Sequence, residues 1–146
     1  MSDDWAPLVP ELLVTDLARS LAFYWGPCGF RLRFQRPEDG FAYLDLHGAQ
    51  IMLEQVSAES WRTGRLVRPY GRGINLQIEV PDAAALCARL EAAGLPLFRP
   101  LTTDWYREGA IEHGQSQFLV QDPDGYLLRF VQPLGERPAS QGGLGG

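Results

Sequence analysis

Residues 117–132 read QFLVQDPDGYLLRFVQ, and the fold follows from this stretch. Two apolar runs, Gln117 to Gln121 and Tyr126 to Gln132, flank Asp122-Pro123-Asp124-Gly125. Proline pre-sets the turn dihedral, glycine accepts positive φ, and the two aspartates can bond their own backbone, so the stretch predicts a β-hairpin. Upstream, Ile74 to Val80 is rich in β-formers, and Pro81-Asp82 opens a helix. Leu86 and Leu90 line that helix on one face, and Gly94 ends it. A short strand is expected near Leu97 to Arg99.

The same order occurs once before. Leu8 to Val14 reads as a strand, with Pro10 marking it as an edge or a bulge. Thr15 or Asp16 caps a helix through Leu17, Leu21 and Tyr24, which Gly26-Pro27 and Gly29 end. Strands follow at Phe30 to Gln35, Phe41 to Leu46 and Ile51 to Val56. Val14 pairs with Val80 and Asp16 with Asp82, both 66 apart (80 − 14, 82 − 16), and Gly29 with Gly94 at 65 (94 − 29). Such a repeat decides the fold class, which is α+β. Two βαβββ modules, 1–66 and 67–134, are expected to form one structural domain. The tail, 135–146, is rich in Gly, Pro, Ser and Gln and is expected to be disordered.

Composition narrows the functions. With 146 residues, 45% hydrophobic and 21% charged, the chain fits one globular unit. A formal charge of −5 argues against a nucleic-acid partner. No apolar run reaches the length of a membrane span, and no signal-peptide pattern precedes the first strand, so a cytoplasmic location is expected. Cys28 and Cys87 form no metal-binding spacing and read as two buried thiols. No Gly-rich phosphate loop appears, because the GRG of residues 71–73 lacks a strand-to-helix context.

Two connecting stretches stand out. Trp61 to Arg72 carries four arginines and no acid: a solvated loop, or a loop that touches a ligand or partner through Trp61 and Tyr70. The segment TTDWYREGAIEHGQSQ, 102–117, is long and polar and reads as a loop that presents Trp105, Tyr106 and His113.

The stretch LLVTDLARSLAFYWGPCGF, 12–30, together with QFLVQDPDGYLLRFVQ, resembles the vicinal oxygen chelate superfamily of glyoxalases, bleomycin-resistance proteins and dioxygenases. The closing hairpin is most similar to the bleomycin-resistance branch. The resemblance implies that the two modules curl into a cupped mixed eight-stranded sheet, and in the enzymes of this fold a divalent metal sits in that cup, held by His, Glu or Gln at a few inward strand positions. The resemblance puts Val9, Glu54, Asn75 and Arg129 at those positions. Only Glu54 is a good donor, and Arg129 is a permanent cation without an acceptor. His47 and His113 fall on none of the four. No cofactor and no metal are therefore expected.

Gly48 and Gly125 each begin a module's last strand. Glu54 and Arg129 lie at even offsets from them (54 − 48, 129 − 125), so both point to equivalent faces. They are either a structural ion pair or polar anchors in a ligand cleft. Phe41 and Tyr43 share a strand face, and Trp61, Trp105 and Tyr106 supply further flat surfaces that can stack on a planar, partly cationic ligand. Phe23, Phe30 and Phe130 read as core. The resemblance thus implies a metal-independent protein that sequesters a drug-sized molecule of the bleomycin type, as a homodimer with clefts lined by both chains. The alternative is a lyase, isomerase or dioxygenase with a metal at unusual positions, such as Glu54 with His113 and Asp104. A third reading makes a metabolite the natural ligand.

Overall fold

Asp16 and Asp82 each begin a helix in the same way. Their backbones are extended and their carboxylates accept the amides of Arg19 and Ala85, meeting part of the hydrogen-bond deficit of the first turn. A computed structural model describes residues 4–139. The first module runs β1 (Glu11–Val14), α1 (Leu17–Trp25), β2 (Arg31–Arg36), β3 (Phe41–Leu46) and β4 (Ala49–Gln55). The second runs β5 (Asn75–Glu79), α2 (Ala83–Ala92), β6 (Leu97–Glu108), β7 (Ile111–Gln121) and β8 (Leu127–Pro138).

The eight strands are divided between two mixed four-stranded sheets, ordered β1-β4-β3-β2 and β5-β8-β7-β6. The pairs β1–β4 and β5–β8 are parallel, and the others are antiparallel. The expected βαβββ repeat is present in both halves. Pro10 precedes β1, an edge strand, as a residue without an amide donor should.

Alternation sends one face of each sheet inward. Leu12, Val14, Ala42, Leu44, Leu46, Ile51 and Leu53 come from the first sheet, and Ile78, Phe118, Val120, Leu128 and Phe130 from the second. Leu17, Phe23 and Tyr24 of α1, with Ala83, Leu86 and Leu90 of α2, complete a single cluster that both modules share. Phe30 joins it, as expected, and Cys28 and Cys87 are buried free thiols. Burial pushes both thiols up, that of Cys28 far above the usual range.

The Asp122–Gly125 turn also joins the modules. Asp124 is buried, accepts from the Thr15 amide and hydroxyl, and pairs with Arg68 at 2.8 Å. The Tyr126 hydroxyl donates to the Leu13 carbonyl at 2.8 Å.

Two expectations need correction. Residues 102–117 are not a loop. They are the distal halves of β6 and β7, paired from Thr102↔Gln117 to Glu108↔Ile111, with Gly109 at positive φ in the turn. The tail is not disordered from its start, because β8 continues through Pro138 and pairs Gly135 with Gly114 and Arg137 with Glu112. Residues 140–146 of that tail lie outside the described residues. The result is a three-stranded arm that extends beyond the core, polar on both faces.

Candidate functional site: two open sheet faces

In both sheets the residues between the core positions face outward. On β3 and β4 these are Phe41, Tyr43, Asp45, Gln50, Met52 and Glu54. On β7 and β8 they include Gln117, Leu119 and Arg129. The parity expected for Glu54 and Arg129 holds: each lies on the outward face of its own sheet.

The first face holds a depression of about 710 Å³ lined by Glu11, Arg36, Phe41, Glu54, Gln55 and Trp61, among others. The parallel β1–β4 register pairs Glu11 with Met52, and the Glu11 carboxyl reaches Glu54 two residues along β4. Burial, then the Glu54 charge and a hydrogen bond with Glu54, raise the Glu11 carboxyl above its usual value, and Arg36 partly offsets this. Glu54 also accepts from the Ser60 hydroxyl at 3.1 Å. The Arg36 guanidinium lies 4.1 Å from the Phe41 ring centroid, and Trp61 is 91% exposed at the rim.

The other end of this face is filled by the chain itself. Trp5 packs edge-on against Tyr43 with centroids 5.0 Å apart, and the Arg33 guanidinium lies 3.8 Å from its ring centre. Gln50 holds the backbone on both sides of Trp5: its oxygen accepts from the Ala6 amide and its nitrogen donates to the Asp4 carbonyl, both at 2.8 Å. This strap explains why Tyr43 and Gln50 are buried on a face turned away from the core.

The second face holds a depression of about 400 Å³ lined by Asn75, Arg99, Thr102, Asp104, Tyr106, Gln117 and Arg129, among others. Gln117 is its hub. Its oxygen accepts from Arg129 Nε at 2.8 Å, and its nitrogen reaches Asp104 at 2.9 Å and the Tyr106 hydroxyl at 2.6 Å. Arg129 also donates to Gln115 at 3.3 Å. Hydrogen bonds from Gln117 and Thr102, with help from Arg99 and Arg129, hold the exposed Asp104 carboxyl below its usual range.

The residues expected from sequence therefore fall into groups. Phe41, Glu54 and Trp61 share the first depression, and Tyr43 lies under the strap beside it. Tyr106 and Arg129 share the second. Glu54 and Arg129 line no common depression, so of the two alternatives the ion pair is not formed, and each lines a depression of its own sheet. Trp105 and Tyr106 are adjacent strand residues and point to opposite faces. Trp105 covers Gly114 and lies 3.9 Å from the Arg137 guanidinium, away from the depression. His113 sits further along the arm beside Glu108 at 2.5 Å and Glu136 at 3.6 Å. Sequence reasoning missed Glu11, Arg99, Gln117 and the Trp5 strap, since each acquires its partners only through strand register or a distant chain segment.

The residues at the metal positions of related enzymes do not fit a metal. Glu54 is on one face and Asn75 and Arg129 are on the other, with a guanidinium at the centre. Among the described residues no three His, Cys, Asp or Glu converge on a point, and the alternative set Glu54, His113 and Asp104 is spread over two modules and the arm.

The chain is similar to known proteins with different roles. A bleomycin resistance protein of Geobacillus stearothermophilus is 30% identical over 137 residues, covering 86% of this chain and 96% of the relative. A lactoylglutathione lyase of Neisseria meningitidis is also 30% identical, over 128 residues, covering 83% of this chain and 86% of the relative. Among solved structures, TioX from Micromonospora sp. ML1 superposes with a TM-score of 0.69 at 26% identity, covering 89% of this chain and all (100%) of TioX. The family model described as Glyoxalase/Bleomycin resistance protein/Dioxygenase superfamily matches residues 8–130, and the chain belongs to that superfamily.

Proposed function

We propose that the protein binds a drug-sized small molecule without a metal, sequestering bleomycin-like glycopeptides in the cytoplasm, and that it does so as a homodimer. The observation that carries this reading is Arg129. It stands at the centre of the second sheet face, tied to Gln117 and Gln115, where a metal enzyme of this family needs an anionic or neutral donor. The similarity to bleomycin resistance proteins over nearly their whole length supports the same conclusion. Binding needs a crevice, aromatic surface and a few polar anchors, and these two faces supply them.

The openness of both faces supports the dimer. In one chain each depression has a floor and no roof, and the two share no lining residue. The first is lined by Glu11, Glu38, Asp39, Glu54 and Glu59 against one arginine, and the second by Arg99 and Arg129 against one acid. Two open faces favour clefts that both chains of a two-fold dimer line. Neither nucleic acid nor a membrane is a partner in this reading. Among the described residues no helix is long and apolar enough to cross a membrane.

The similarity to a lactoylglutathione lyase and the retained Glu54 favour a second reading, a metal-dependent enzyme. Titration calorimetry with metal-free and copper-loaded bleomycin, with elemental analysis of the purified protein, separates the two. Saturable bleomycin binding by metal-free protein supports sequestration. A stoichiometric divalent ion whose removal abolishes turnover of a glutathione hemithioacetal supports the enzyme.

A further inference from the structure

We infer that the outward face of the second sheet is an oxyanion site, and that the ligand of this protein carries a carboxylate, sulfonate or phosphate directed at Arg129 and Arg99. This rests on the metal-free small-molecule reading above and selects within it an acidic metabolite or drug, since bleomycin itself carries no such group.

The argument begins with charge. Two guanidiniums, Arg99 and Arg129, line one depression of about 400 Å³. Among the described residues no carboxylate lies within ion-pair distance of either. The ion pairs of the second module and its linker involve Arg68, His113 and Arg137 instead. The acid that the two arginines share at longer range is Asp104, whose carboxylate already accepts from Thr102 at 2.7 Å and Gln117 at 2.9 Å. One cation in the depression is thus left without a counter-charge.

Geometry adds direction. Arg129 is held by neutral acceptors, the side-chain oxygens of Gln117 at 2.8 Å and Gln115 at 3.3 Å. These bonds fix the guanidinium plane without neutralising it and leave other donors of its fork unused. The Gln117 amide is oriented by Asp104 and Tyr106, so its oxygen is committed to Arg129. A positioned and uncompensated guanidinium beside a second one is the arrangement that binds a planar carboxylate or a phosphoryl group through paired N–H···O bonds. Asn75 and the Tyr106 hydroxyl, which accepts from Gln117 and keeps its proton, line the same depression and add neutral donors.

The test uses three isosteric probes on the whole protein: 2-naphthoate, its neutral amide 2-naphthamide, and 2-naphthylmethylammonium. Affinity is read by calorimetry, and the site by the Nε–Hε signals of 15N-labelled arginines. The expected result is that naphthoate binds about tenfold or more tighter than naphthamide, weakens with added salt, and shifts the Arg129 and Arg99 signals. Arg129→Gln with Arg99→Gln should reduce naphthoate to the naphthamide level. Unchanged naphthamide binding in that variant shows that the fold is intact. Equal affinity for acid and amide overturns the inference, as does naphthoate binding that survives both substitutions. If amide or ammonium binds while carboxylate does not, the oxyanion site fails and the small-molecule reading stands. If none of the three binds, the oxyanion site fails, and the bleomycin titration decides the small-molecule reading separately. Naphthoate binding that appears only after Glu11→Gln with Glu54→Gln shows the arginines spent on the carboxylates of a second copy, and also overturns the inference.

Discussion

The Tyr24 hydroxyl donates to Asp122 Oδ2 at 2.7 Å, joining the helix of the first module to the hairpin turn of the second across 98 positions of chain. Tyr24 is fully buried and sits edge-on to Phe23 and Phe30, with centroids 5.0 and 5.4 Å away. The other oxygen of Asp122 accepts the amides of Asp124 and Tyr126, both at 2.9 Å. One carboxylate therefore shapes the turn and fastens the modules together.

Burial raises the Asp122 carboxyl above its usual value, the hydrogen bonds from Tyr24, Asp124 and Tyr126 offset part of this, and the nearby Asp124 charge adds to the rise. A raised folded-state value means that the native protein holds this proton more firmly than the unfolded chain. Its contribution to stability is greatest below about pH 4, the unfolded value, and is lost as pH rises through the folded value. Asp122→Asn can still accept both amides and offers its nitrogen to the Tyr24 oxygen. It should stay within about 1 kcal/mol of the parent at pH 7 and remove this pH-dependent loss. Asp122→Ala, which orphans two amides and a buried hydroxyl, should cost about 3 kcal/mol or more. Urea denaturation between pH 3 and 8 measures both; an unchanged pH profile in Asp122→Asn refutes the assignment.

Trp105 gives a second prediction. A Cβ on Gly114 would meet the Trp105 ring at 2.5 Å, and Arg137 lies 3.9 Å from the ring centre on the same face of the arm. Gly114→Ala should therefore destabilise the arm by about 1–3 kcal/mol through overpacking. In a Trp105→Ala background the same change should cost much less, a coupling that a double-mutant cycle reads directly. Additive effects would show that the ring does not rest on Gly114.

The elements were legible wherever one face of a strand or helix meets the core. Asp16 and Asp82 mark both helix starts, and the repeat of 66 residues places both modules (80 − 14, 82 − 16). The arm was not legible, because both of its faces meet solvent and Thr102 to Gln117 carries no apolar alternation to betray a strand. The site was legible by parity alone. Glu54 and Arg129 do face outward, but which sheet each belongs to, and that Glu11 and Gln117 become their partners, depends on pairing between distant strands.

The strap yields a local prediction. Gln50 accepts the Ala6 amide and donates to the Asp4 carbonyl, while the Met52 amide bonds independently to the Pro10 carbonyl at 2.9 Å. Gln50→Leu removes the first pair, with the bonds of Gln50 to the Tyr43 hydroxyl and the Asp45 carboxylate, and leaves the Met52 bond in place. Hydrogen exchange at Ala6 should rise by roughly tenfold or more, since one lost bond of about 1.4 kcal/mol gives that factor. Exchange at Met52 should not change. Equal protection of Ala6 in both proteins would mean that Trp5 alone holds the segment.

Arg129→Glu tests the reading as a whole. It places a carboxylate at the position where related enzymes carry one, and it removes the charge that repels a metal. The substitution also strips Gln117 and Gln115 of their shared donor and sets a second acid near Asp104. Stability should fall by about 1–3 kcal/mol, the cost of unpaired and mutually repelling polar groups. No metal should be gained, because Asn75 is a poor donor, Val9 is none, and Glu54 lies on the other sheet. Elemental analysis after exposure to zinc, nickel and manganese, with melting curves beside it, gives the answer. A near-unit divalent ion that raises the melting temperature would show that donors from both sheets do converge. The sequestration reading would then give way to a latent metal centre, disabled in this chain by one arginine.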